Sequence, residues 1–139
     1  MMTIGQLNCY IDRTYTLGGG DVGCCKKIVA AVLADDRQVY TYGDLLSGAN
    51  AGADSDYDIG EVQRAINVLK SDNVQLLREL YRYIDDHVIY DLSLEDLQVA
   101  MLDGMLELEL RGYPDKDFKS KVYVIFSADR TVVSNEPNN

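Results

Sequence analysis

Basic residues are scarce in this chain, histidine is nearly absent, and no apolar run is long. Thirteen Lys and Arg stand against 23 Asp and Glu, for a formal net charge of −10. A surface with that balance repels nucleic-acid phosphate on average, and no run of Lys and Arg supplies the basic face that displaces counterions from DNA. The densest cationic cluster is Lys116, Lys119 and Lys121. No apolar stretch nears the roughly 18 residues needed to cross a bilayer, and no basic-then-apolar leader opens the chain. A cytoplasmic protein is the expectation.

Cysteine is also sparse. Cys9, Cys24 and Cys25 are odd in number and two are adjacent, which makes a poor disulfide framework and suits a reducing compartment. They read as small buried hydrophobes. His87 is the only histidine, so histidine catalysis would have to run through it, and no His/Cys cluster has zinc spacing. These shortages predict a protein that is not an enzyme and holds no cofactor or metal.

What the chain does have is an ordinary globular composition: 139 residues, 47% hydrophobic and 26% charged. Residues 1–133 read as a single α+β domain, and residues 134–139 as a flexible tail. Residues 2–15 alternate weakly through Ile4, Leu7, Cys9 and Ile11, the pattern of a strand or irregular arm. Asp21 stands as an N-cap before a helical stripe of Cys25, Ile28, Val29, Val32 and Leu33. Residues 38–42 read as extended, Gly43 and Asp44 introduce a short helix, and residues 49–58 form a loop. Asp58 caps a further helix whose buried face is Val62, Ala65, Ile66 and Leu69.

Residues 74–84 fit both periods, and their Leu, Arg, Glu and Gln favour a helix. Residues 87–91 read as extended. Ser93 and Asp96 approximate a capping box before a helix that Gly104 closes. Two alternating runs, 106–110 and 122–126, predict a hairpin that turns at 112–117 around Pro114.

Helix 26–33, extended 39–42, short helix 43–46, helix 58–69 and the late hairpin 105–126 occur in an order that resembles a winged-helix domain. A small helical domain with a C-terminal β-hairpin is therefore the expected architecture. A DNA-reading winged helix carries a basic recognition helix and wing, whereas residues 58–70 set Arg64 and Lys70 against Asp58 and Glu61. The resemblance accordingly implies a protein-binding winged helix ahead of a DNA-binding one.

Three motifs bear on chemistry. Gly18-Gly19-Gly20-Asp21-Val22-Gly23 satisfies Gly-x-Gly-x-x-Gly before a helix, but Asp21 would sit beside a bound phosphate. Cys24 and Cys25 also stand where a phosphate loop needs Lys and Ser or Thr. Asp54, Asp56 and Asp58 alternate as in a calcium loop, yet glycine comes one place late, at Gly60, and Ala65 takes the place of the closing Glu. Finally, residues 85–109 contain eight Asp and Glu and no Lys or Arg.

The resulting expectation is an acidic interaction or regulatory protein, an inhibitor or adaptor for a partner with a basic surface, imitation of nucleic-acid charge being one form of it. Its expected contact residues are Asp54, Asp56, Asp58, Asp85, Asp86, Asp91, Glu95, Asp96 and Tyr83. A DNA-binding winged-helix regulator that uses Lys116, Lys119 and Lys121 is the alternative. Homodimerisation through the apolar faces of the hairpin is a further expectation.

Overall fold

Side-chain caps written into the sequence set the start of each α-helix in the structure, a computed structural model that describes residues 2–19, 21–52, 56–86, 88–108 and 114–134. In chain order these elements are β1 (Met2–Thr3), α1 (Ile4–Gly18), α2 (Val22–Ala34), β2 (Val39–Tyr40), α3 (Tyr42–Ala49), α4 (Ile59–Leu69), β3 (Leu77–Asp85), β4 (Val88–Leu92), α5 (Leu94–Asp103), β5 (Val122–Ala128) and β6 (Val133–Ser134). The chain is an α+β protein. Strands β2, β5, β3 and β4 stand in that order in one sheet, and β1 pairs with β6 in parallel. None of the described helices is long and apolar enough to cross a membrane.

Two compact units divide the chain: unit 1 is Met1–Arg78 with Phe126–Asn139, and unit 2 is Glu79–Ile125. In unit 1, Asp21 accepts from the Gly23 N–H and starts α2, and Asp58 accepts from the Glu61 N–H and starts α4. Thr41 and Asp44 cap α3 reciprocally. These helices bury the stripes that their spacing predicts, including Ile28 and Val32 of α2 and Val62, Ile66 and Leu69 of α4. Strand β5 closes the layer by pairing antiparallel with β2, Tyr40 opposite Phe126 and Val39 opposite Ser127. Arg130 then ties the returning chain down, donating to the carbonyls of Val32 (2.7 Å) and Arg37 (2.6 Å) and to the Tyr40 hydroxyl (2.7 Å).

Residues 4–18 are helical, which corrects the reading of 2–15 as a strand or arm. Leu7, Ile11 and Tyr15 recur every four residues on the buried face, and Thr3 with Gln6 forms a full capping box. Gly19 ends this helix at φ 77, a conformation costly for any residue with a Cβ. Ser134, read as the start of the tail, pairs with Thr3; residues 135–139 lie outside the described residues.

Unit 2 is built on the antiparallel pair β3–β4, in register from Tyr81 opposite Leu92 to Asp85 opposite Val88. Residues 77–85 are therefore a strand and not the helix that composition favours. Gln75, at φ 56, breaks the chain between α4 and β3, and cross-strand pairing then outweighs helix propensity. Ser93 and Asp96 complete the expected capping box, and Gly104 ends α5 in the left-handed conformation at φ 74. The expected hairpin partner of 122–126 is different: β5 pairs through its far end with β2, while Leu106 bridges Asp115. Residues 109–113, which contain the end of the expected first strand and the start of its turn, lie outside the described residues. Tyr83, Leu92, Ala100, Leu106 and Phe118 make the small core of this unit.

Candidate functional site

The glycine motif opening α2 is filled from within the chain. The Asp21 carboxylate occupies the helix N-terminus through the Gly23 N–H (2.8 Å), and the Tyr57 hydroxyl donates to the same carboxylate at 3.3 Å. Asn50 fixes Tyr57 there by bonding its backbone N–H (2.7 Å) and carbonyl (2.9 Å). A Cβ at Gly23 would meet the Tyr57 hydroxyl, and one at Gly18 would meet the Arg64 guanidinium. These glycines thus make room for side chains of the chain itself. Gly20 lies outside the described residues.

Cys24 and Cys25 face the interior of unit 1. Burial pushes the Cys24 thiol up to about 11, with help from Glu61, Asp21 and Asp58, and pushes Cys25 up to about 12. Burial also raises the Tyr15 phenol, which the Arg64 guanidinium covers 4.8 Å from the ring centre. Thiols this strongly held in their neutral form are poor nucleophiles. Cys9 is exposed, and His87 lies outside the described residues.

A polar cluster sits inside unit 2, where Asp115 is 4% exposed. Its carboxylate accepts from the Tyr83 hydroxyl at 2.5 Å, from the Lys121 ammonium at 2.8 Å and from the Asp117 N–H at 2.8 Å. Asp85 joins at 3.1 Å from the Tyr83 hydroxyl and 3.7 Å from Lys121. Donors and acceptors here satisfy one another, as buried charge requires. The arrangement pins the 115–121 segment to β3, leaving Asp115 too deep to act as a base on a substrate.

The surface of unit 2 is different in kind. Eleven large apolar side chains are exposed among the described residues; Leu17 and Ile59 belong to unit 1 and the other nine to unit 2. On β4 and α5 they include Ile89 (68% exposed), Leu94, Val99, Met101 and Leu102 (87%). Carboxylates stand among them, with Glu95, Asp96, Asp103 and Glu107 all exposed. Beside Val99 a groove of about 270 Å³ runs along α5, with Leu92, Ala100 and Leu106 as its floor and no Lys or Arg among the described residues of its lining. Apolar side chains exposed beside acidic ones make this region the candidate interaction surface.

The expected contact residues fall into three groups. Glu95, Asp96 and Asp86 are exposed on unit 2, Asp96 also serving as half of the α5 cap. Asp91 and Asp85 are in unit 2 but already engaged: Asp91 accepts two bonds from Arg82, at 2.7 and 3.2 Å, which holds its carboxyl below the ordinary carboxylate value, and Asp85 belongs to the buried cluster. Asp56 and Asp58 are exposed in unit 1, Asp58 as the α4 cap; Asp54 lies outside the described residues. Tyr83 is corrected: it is fully buried, packed in the unit 2 core with its hydroxyl on Asp115, so it cannot touch a partner. Among the described residues no three His, Cys, Asp or Glu side chains come together to hold a metal ion.

Sequence reasoning missed the apolar half of this surface. Leu94, Met101 and Leu102 recur at helical spacing and look like a core-facing stripe until the helix is placed, Val99 carries no signal at all, and only the run of carboxylates pointed to this region. Compared with protein-family models, curated proteins and solved structures, the chain shows no match.

Proposed function

We propose that this chain is a non-enzymatic interaction protein, an inhibitor or adaptor, that offers the β4–α5 face of unit 2 to a protein partner with a basic surface. The observation that carries the reading is the exposure of apolar side chains among carboxylates on β4 and α5, with Tyr90, Val99, Asp96, Asp103 and Glu107 gathered around one groove. Carboxylates steer a cationic partner and reject anionic ones, while apolar contact supplies the affinity that rim charges do not. Imitation of nucleic-acid charge is a less good fit, because a phosphate-like surface has no use for Ile89 at 68% or Leu102 at 87% exposure. A cytosolic setting suits the unbridged cysteines.

The DNA-binding alternative rests on Lys116, Lys119 and Lys121. Lys121 is turned to Asp115 and Asp85, which leaves that wing two exposed lysines. A salt-dependent gel shift separates the two readings: retention of a DNA duplex at moderate salt, abolished by Lys119→Glu, would favour the alternative.

The direct test captures partners from the native cell on immobilised protein and then measures the purified partner by calorimetry. Val99→Gln and Leu102→Ser should each weaken it about tenfold, and Leu17→Ser on unit 1 should leave it unchanged. Undiminished affinity in both unit 2 variants would overturn the proposal.

A further inference from the structure

We infer that the α5 groove receives one large apolar side chain from a segment of the partner protein that carries Lys or Arg on both sides of it. This rests on the interaction reading above and specifies what the face recognises. The groove, about 270 Å³, falls below the roughly 300–1,000 Å³ of small-molecule sites and matches side chains instead. Its floor of Leu92, Ala100 and Leu106 is buried and wholly apolar, so a polar occupant would lose its water without compensation.

The rim sets the charge of the occupant. Asp96 and Asp103 lie seven residues apart on α5, on either side of Val99 and Ala100, and are therefore separated by about 10 Å along the helix axis. Glu107 continues the acidic rim beyond the helix end, and all three are exposed. Among the described residues of the lining there is no Lys or Arg, and the acidic rim is complementary to two cations that flank an apolar anchor. The same charge disfavours an acidic segment.

Fluorescence anisotropy of the full chain with two labelled peptides tests this. One carries a single leucine between flanking lysines, and the other has a serine in place of the leucine. The leucine peptide should bind at least about tenfold more tightly than the serine peptide. Val99→Gln, at a site 57% exposed where the fold tolerates the change, should cost about fivefold. Asp103→Asn with Glu107→Gln should cost a similar factor and flatten the salt dependence.

Equal, salt-dependent binding of both peptides would overturn the groove assignment while leaving the acidic-face reading standing. Failure of both peptides even at low salt would overturn the two together. Sedimentation of the unliganded chain as a dimer that Val99→Gln dissociates would assign the groove to a second copy and overturn the inference.

Discussion

Unit 1 buries its apolar side chains and unit 2 leaves many of its own in water. In unit 1 the faces of α1, α2, α3 and α4 converge on one continuous core, from Leu7 through Ile28 and Leu45 to Leu69. Unit 2 gathers five buried residues about Phe118 and relies on the Asp115 cluster for further cohesion, while β4 and α5 keep apolar side chains outside. The difference teaches which constraint acted on each part. Packing explains nearly every residue of unit 1 that sequence singles out, including the glycines and the paired cysteines. It does not explain Val99, Met101 or Leu102, the exposed apolar residues on which the proposed interface rests.

If the units differ in this way, the largest effects should come from the buried charges of unit 2. Asp115→Ala removes an acceptor shared by Tyr83 and Lys121, a loss of about 3–5 kcal/mol by precedent for broken buried pairs. Hydrogen exchange should then show protection lost across residues 79–125 first, and Asp115→Asn should restore part of it. Simultaneous loss throughout unit 1 would break the comparison. Next, Leu69→Ala opens a cavity in the unit 1 core and should cost about 3 kcal/mol in denaturant melts, with partner affinity per folded molecule unchanged.

The thiols sharpen the contrast from the other side. Cys24 and Cys25 are raised from 9.0 to about 11 and about 12 by burial. Their neutral forms favour the folded state, so this contribution is complete below pH 9 and is lost as the pH climbs toward those values. Unit 1 should thus loosen between pH 9 and 12, followed by circular dichroism. At pH 8, labelling should modify Cys9 rapidly and the other two only on unfolding. The smallest expected effect is Ser93→Ala, which deletes the α5 cap at a cost of about 1 kcal/mol and should weaken partner binding through fraying of the helix that carries the face.

The legible parts of this sequence were those with local chemistry at their ends. Asp21, Asp58 and Ser93 mark the starts of α2, α4 and α5, and Gly104 marks a stop, because caps satisfy backbone groups within a few residues. Helix α1 escaped because Ile4, Leu7, Cys9 and Ile11 mimic alternation, although Thr3 and Gln6 carried the decisive signal. Strand β3 escaped because nothing in Leu, Arg and Glu reveals a pairing with β4. The hairpin at 106–126 was misassigned for a related reason: alternation makes a strand without naming its neighbour, and β5 has β2 beside it. For the site, the acidic run was visible in one dimension. The groove was not, since it exists only once α5 lies against residues 105–108.

Hydroxyl-radical footprinting of the complex with the captured partner tests the central claim most directly. Tyr90 and Val99, which line the groove of unit 2, and Leu17 on unit 1 are all exposed and oxidisable in the free chain. Partner binding should shield Tyr90 and Val99 and leave Leu17 as reactive as before. Shielding of Leu17 with Tyr90 still oxidised would place the interface on the wrong unit and contradict the account.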